Sequence, residues 1–168
     1  MISSHKQGTL FTFRTDELAE PLLKSLELPV ESTVVVIKLR TLHGIAAGNS
    51  YSGLSDPFVE FKLIPKDNLA GDQLQRSSNK TSTLNPRWEP AERFQLIASK
   101  KESQKVIMSV YHFNPNGKDA SPLGDAFLFL KDVTDVPSVK KIKLIEPSTG
   151  KAKGEVSDTV LHCVCVCW

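Results

Sequence analysis

The sequence predicts an all-β fold, an antiparallel sandwich, on three observations. Segments rich in β-branched side chains, or alternating apolar with polar ones, recur along the chain. No long helical pattern separates them. Two proline-containing turn signals, Ser55-Asp56-Pro57 and Leu84-Asn85-Pro86, punctuate them. The length of 168 residues suits one domain, long enough to bury roughly 70% of its unfolded surface around a single core.

Residues 33–39 read Thr-Val-Val-Val-Ile-Lys-Leu, and β-branched side chains suit a pleated surface, so this is the first confident strand. In residues 58–64, Val59, Phe61 and Leu63 alternate with Phe58, Glu60 and Lys62, which sends one face into a core. Residues 65–79 carry Asp67, Asn68, Gly71, Asp72, Ser77 and Ser78, a loop composition predicted to overhang the surface. Further strands are predicted at 92–98, 105–111, 125–130, 140–145 and 159–168, with a turn over 148–154 before the last. Residues 1–32 read as an extension to a domain at 33–168. Within it, 8–14 fits an edge strand. Thr15 or Asp16 fits the cap of a short helix through Glu17, Leu18, Leu22, Leu23 and Leu26, limited by Pro21 and Pro29.

Lys and Arg total 21 against 19 Asp and Glu. Residues 31–80, 81–130 and 131–168 each hold six basic and five acidic side chains. This mixture lacks the basic stripe that neutralises successive phosphates, so nucleic acid is not an expected partner. No segment reaches the ~18 apolar residues of a membrane-spanning helix, and the first eight residues lack a signal-peptide pattern. A cytoplasmic location is the expectation. All three cysteines fall in Cys163-Val164-Cys165-Val166-Cys167-Trp168. Their spacing disfavours a relaxed disulfide and suits a reduced strand apolar on both faces. Cys165 to Trp168 has the spacing of a prenylation box but ends in the wrong residue. Gly-rich phosphate loops, H-E-x-x-H and G-x-S-x-G motifs are absent, so an enzyme is not expected.

Gly53-Leu54-Ser55-Asp56-Pro57-Phe58-Val59 is followed by Lys80-Thr81 and by Leu84-Asn85-Pro86-Arg87-Trp88-Glu89. With Val110-Tyr111-His112-Phe113, Pro122-Leu123-Gly124-Asp125 and Gly154-Glu155-Val156, these segments resemble the C2 domain family over about residues 33–168. The resemblance implies an eight-stranded antiparallel Greek-key β-sandwich, in one of two circularly permuted topologies, with three loops at one end forming a calcium and phospholipid site.

Calcium wants six to eight oxygen ligands, and its affinity is tuned by the charge of the ligand set. By the resemblance, one family aspartate maps onto Asp56, while the other in that loop falls on Ser50 or Asn49. The D-x-D pair of the third loop falls on His112 and Asn114, and the later acidic position on Ser121, with Asp119 close enough to swing in. Asp56 and Asp119 therefore make a depleted metal site, weak or absent, and no cofactor is expected. Asp56 reads first as a turn former before Pro57, and His112 as an exposed loop histidine whose charge could respond to pH.

Ile45, Tyr51, Leu54 and Leu123 fall near the loop tips, able to insert at an interface or to pack the sandwich end. The lipid-binding candidates are Tyr51, Leu54 and Lys118 in the loops, with Lys62, Lys66 and Lys80 toward the sheet. Arg76 adds to these, and Lys140, Lys141 and Lys143 form a second small basic group. Basic residues at a membrane contribute about 1 kcal/mol each, enough for transient docking. The expected function is a non-catalytic module for peripheral, calcium-independent association with anionic phospholipid membranes. The alternative is a protein-interaction scaffold, using loops or the 1–32 extension. A minor alternative is weak calcium-dependent phospholipid binding.

Overall fold

A computed structural model describes residues 31–66, 71, 73–114, 120–146 and 148–167, with side chains omitted at 31, 158 and 160–167. The predicted strand at 8–14 and helix through 17–26 lie outside the described residues, as do Asp67, Asp72, Lys118, Asp119 and Trp168. Among the described residues eight strands form the fold: β1 Glu31–His43, β2 Pro57–Ile64, β3 Gln75–Arg76, β4 Arg87–Ala98, β5 Lys105–His112, β6 Ser121–Phe129, β7 Ser138–Ile145 and β8 Ala152–Cys167. A 3₁₀ turn, Leu130–Asp132, follows β6.

Neighbours run β3-β2-β5-β6-β7-β8-β1-β4, and every pairing is antiparallel. β6 meets β7 through the single pair Asp125 and Ile145, so the strand order folds there into two four-stranded layers. The last strand, β8, fills the place between β7 and β1. This decides between the two circularly permuted topologies left open by sequence.

The layers close over one core. Val35, Ile37, Leu39, Val59, Phe61, Leu96, Met108 and Val110 are buried in it, each on the inward parity of its strand. Phe61 of β2 stacks on Phe94 of β4 with ring centroids 4.2 Å apart, which ties the two layers directly. Trp88 is fully buried in the same cluster, and its Nε1–H donates to the Ser78 carbonyl at 3.2 Å.

β4 and β8 begin furthest ahead of their predicted starts. β4 begins at Arg87, not 92, because its first residues continue along β1 past a register shift between Leu39 and Thr41. β8 begins at Ala152 because the reversal is completed by a turn in which the Glu146 carbonyl accepts from Gly150 N–H at 2.8 Å. Gly154 then passes so close to β1 that a Cβ would stand 2.5 Å from the His43 carbonyl oxygen.

The polar stretch after β2 does more than overhang the surface. Gln73 and Gln75 turn their amides onto the outer edge of β4. Gln73 donates to Ile97 O at 2.8 Å and accepts from Ile97 N–H at 2.6 Å. Gln75 donates to Gln95 O and accepts from Gln95 N–H at 3.2 Å. Each side-chain amide imitates a neighbouring strand and blunts an edge that could otherwise template pairing with another chain.

Candidate functional site

Alternating strand directions bring three loops, 44–56, 77–86 and the one entered at Phe113, to one end of the sandwich. The Ser-Asp-Pro motif builds the first from within. Ser55 is buried; its Oγ accepts from Gly48 N–H at 2.6 Å and donates to Ala46 O at 2.7 Å. Beyond this staple the loop narrows to a tip, where Asn49 N–H donates to Leu54 O at 3.0 Å and Gly53 N–H to Asn49 O at 2.9 Å. Asn49 Oδ1 accepts from Tyr51 N–H at 2.9 Å and Ser52 N–H at 3.2 Å. A short polar side chain here supplies the turn's missing acceptors. Tyr51 is thereby held out with its whole side chain in solvent, 100% exposed, while Leu54 is half-buried.

Asp56 bonds to both other loops. Its Oδ1 accepts from Ser82 N–H at 2.6 Å, and its carbonyl accepts from Phe113 N–H at 2.8 Å. Its own N–H donates to His112 Nδ1 at 2.9 Å, so that imidazole nitrogen is an acceptor and the ring is neutral in this arrangement. His112 differs from its sequence reading. It ends β5, is 8% exposed, and packs against Gly48, where a Cβ would stand 2.4 Å from its Cβ and Cγ. An imidazole beside a glycine thus fills the base of the loops.

The Leu-Asn-Pro motif ties the middle loop to the end of β1. Asn85 Oδ1 accepts from Gly44 N–H at 2.9 Å. Leu42 N–H donates to Pro86 O, and Ile45 N–H to Leu84 O, each at 3.1 Å. Ile45 and Leu123 are buried in the core, so of the apolar residues predicted near the tips, Tyr51 and Leu54 reach the surface. Among the described residues no three His, Cys, Asp or Glu side chains come together as a metal-binding group.

The predicted lysines among the described residues, Lys62, Lys66 and Lys80, do not share one patch. Lys80 lies near the loop end, its N–H on Pro57 O at 2.9 Å and its Nζ 5.7 Å from the Trp88 ring centroid. Lys62 is exposed in the middle of β2, opposite Ile107. Lys66 is exposed beyond the far end of β2, separated from the loops by about 26 Å of strand. On the sheet face between them, Glu60 and Asp125 flank Ser109 in one cross-strand row. Ser109 Oγ donates to Asp125 Oδ1 at 2.6 Å. Arg76 covers Phe58 at 3.5 Å from its centroid, and Lys105 lies 4.9 Å from that of Phe127. These carboxylates and ring contacts dilute the basic character of the face.

The family model described as C2 domain matches residues 31–144. The chain belongs to the C2 domain family. It is 31% identical over 113 residues to Synaptotagmin-2 of Arabidopsis thaliana, covering 62% of this chain and 19% of that protein. The chain therefore spans about a fifth of the length of that relative. Among solved structures, a C2 domain of plant Extended Synaptotagmin 1 superposes with a TM-score of 0.69 at 24% identity, covering 84% of this chain and 99% of that one. The calcium-bound pair of C2 domains of Extended-Synaptotagmin 2 gives 0.62 at 18% identity, over 82% and 48%. Human GIVD cytosolic phospholipase A2 gives 0.62 at 13% identity, over 81% and 17%. At these identities the structures establish the C2 fold. Gly48, Ser82, Gln73 and Gln75 are the positions in this C2 domain that sequence motifs did not single out, because each acts through contacts distant in the chain. No helix among the described residues is long and apolar enough to cross a membrane.

Proposed function

We propose that this C2 domain is a non-catalytic module that associates peripherally with anionic phospholipid membranes without requiring calcium. The observation that carries the reading is the use made of Asp56 and His112. The carboxylate that could serve calcium accepts from Ser82 N–H, and the neighbouring site is filled by a buried imidazole whose Nδ1 accepts from Asp56 N–H. A hard cation needs several convergent oxygens, and the predicted ligand among the described residues, Asp56, already accepts from an internal donor. Tyr51 supports the membrane side of the reading, since an amphipathic ring held at a loop apex suits a lipid interface. Arg76, Lys80 and Arg87 are among the cations described near that end.

The test is sedimentation with vesicles. Vesicles containing phosphatidylserine should carry the protein down, and vesicles of phosphatidylcholine alone should carry much less. Equal binding to both, or none to either, contradicts the proposal. A protein partner is the second reading, favoured by the sheet face where Glu60 and Asp125 sit among Ile107, Tyr111 and Phe127. Retained partner capture together with failed vesicle binding would select it.

A further inference from the structure

The positive charge of this chain is gathered on one hairpin. Residues 140–155 hold Lys140, Lys141, Lys143, Lys151 and Lys153 against Glu146 and Glu155. The whole chain has 21 basic and 19 acidic side chains, so outside this hairpin the acids slightly outnumber the bases. On β7, Lys141 and Lys143 are exposed and alternate with Ile142 and Leu144, which pack against and within the core, so both lysines stand on the outer face. Lys143 pairs with Glu155 on β8, and Lys153, two residues before Glu155, shares its parity. The Lys141 ammonium lies 3.9 Å from Glu155, and that of Lys153 2.7 Å from Glu146. Two carboxylates cannot offset five ammonium groups, so the face keeps a net positive charge.

The hairpin rises toward the loop end. Glu155 stands opposite His43, the last residue of β1, and a Cβ on Gly154 would stand 2.7 Å from the Gly44 carbonyl oxygen. β8 runs on three residues past Glu155 to Ala152, about 10 Å, beside the point where β1 enters the loop that carries Tyr51. Its turn is tied by Glu146, whose N–H donates to Lys151 O at 2.9 Å, whose carbonyl accepts from Gly150 N–H at 2.8 Å and whose Oε2 accepts from the Thr149 hydroxyl at 2.5 Å. Lys151 is thus fixed by its backbone with its side chain exposed. On the basis of the proposed membrane association, we infer that the β7–β8 hairpin, through Lys141, Lys143, Lys151 and Lys153, is the element that meets the anionic phospholipid surface. Lys62 and Lys66 are spread along and beyond β2, on a sheet that also presents Glu60 and Asp125. The hairpin instead collects four exposed ammonium groups, and Tyr51 lies at the same end of the sandwich. Clustered cations beside an amphipathic ring match the charge and the polarity gradient of an anionic lipid interface.

Vesicle binding and amine labelling of the full chain test this. Lys143→Gln/Lys151→Gln should bind phosphatidylserine vesicles roughly 25-fold more weakly than the parent, about fivefold per lysine. Lys100→Gln/Lys131→Gln removes the same charge at the opposite end of the sandwich, after β4 and after β6. Charges beyond a Debye length are largely screened, so this control should change binding by less than about twofold. Equal losses in the two variants, or none in either, overturn the hairpin's role and leave membrane association itself standing. A parent that ignores phosphatidylserine vesicles overturns both. Hairpin-dependent binding to soluble polyglutamate as tight as to vesicles would assign the hairpin to an acidic protein partner instead. On the vesicle-bound parent, an amine-reactive reagent read by mass spectrometry should find Lys143 and Lys151 shielded several-fold, and Lys100 and Lys131 not. Full reactivity of Lys143 and Lys151 there overturns the assignment even if the variants fail to fold.

Discussion

Replacing Gly48 by Ala reports most directly on what fills the loop end. The new Cβ would stand 2.4 Å from Cβ and Cγ of His112 and 2.9 Å from its Cδ2. The ring is buried, and its Nδ1 bond to Asp56 N–H ties it to the first loop. Relief requires either local overpacking, about 1–3 kcal/mol, or a ring displacement that leaves a buried N–H unpaired, also about 1–3 kcal/mol. Stiffening of the unfolded chain returns roughly 0.4–1 kcal/mol. The net expected cost is about 1–2 kcal/mol. In a His112→Gly background the obstructing Cβ and ring atoms are gone, and the same substitution should be neutral or slightly stabilising. Urea unfolding of the four proteins, followed by tryptophan fluorescence, measures the cycle, with an expected coupling of about 1–3 kcal/mol. The same cost in both backgrounds, or no cost in either, would refute the packing of His112 against Gly48.

Removing the glutamines at the sheet edge should weaken and unmask β4. Gln73→Ala and Gln75→Ala should each cost about 1–2 kcal/mol in urea unfolding, and the double variant should self-associate at concentrations where the parent stays monomeric. Trp88→Ala should cost about 3–5 kcal/mol, because it empties the core beneath the Leu-Asn-Pro turn. The Lys153 ammonium, then the Thr149 hydroxyl, hold the Glu146 carboxyl below its ordinary value of 4.5. A carboxyl lowered in the folded state contributes above its unfolded pKa and stops contributing as pH falls through the folded one. Amide protection of Gly150 should therefore hold from neutral pH to about 4.5 and fade below it, while Glu146→Gln should weaken that protection already at neutral pH. Unchanged protection in the Gln variant would show that the backbone turn stands without the carboxylate.

The strands were legible wherever side-chain parity decided burial. Val59, Phe61 and Leu63, alternating with Glu60 and Lys62, announced β2 and its inward face. The start of β4 did not announce itself. Arg87-Trp88-Glu89-Pro90 reads as turn chemistry, and only pairing beyond the shift between Leu39 and Thr41 makes it strand. At the loops, the scaffold role of Asp56 was readable because Asp before Pro is a turn former. The burial of His112 was not, since it depends on Gly48, which lies 64 residues earlier by sequence number. The glutamine clamp was hidden for a related reason. Gln in a polar stretch is indistinguishable from loop composition until the chain returns to present Gln95 and Ile97. Contacts set by tertiary return leave little local signature.

Vesicle binding compared with and without calcium tests the central proposal most directly. The protein should bind phosphatidylserine vesicles to the same extent in excess chelator as in about 1 mM calcium, a concentration that saturates intracellular sensor sites. A tenfold or larger gain on adding calcium would contradict it, and would mean that Asp56 leaves the Ser82 N–H to serve a cation.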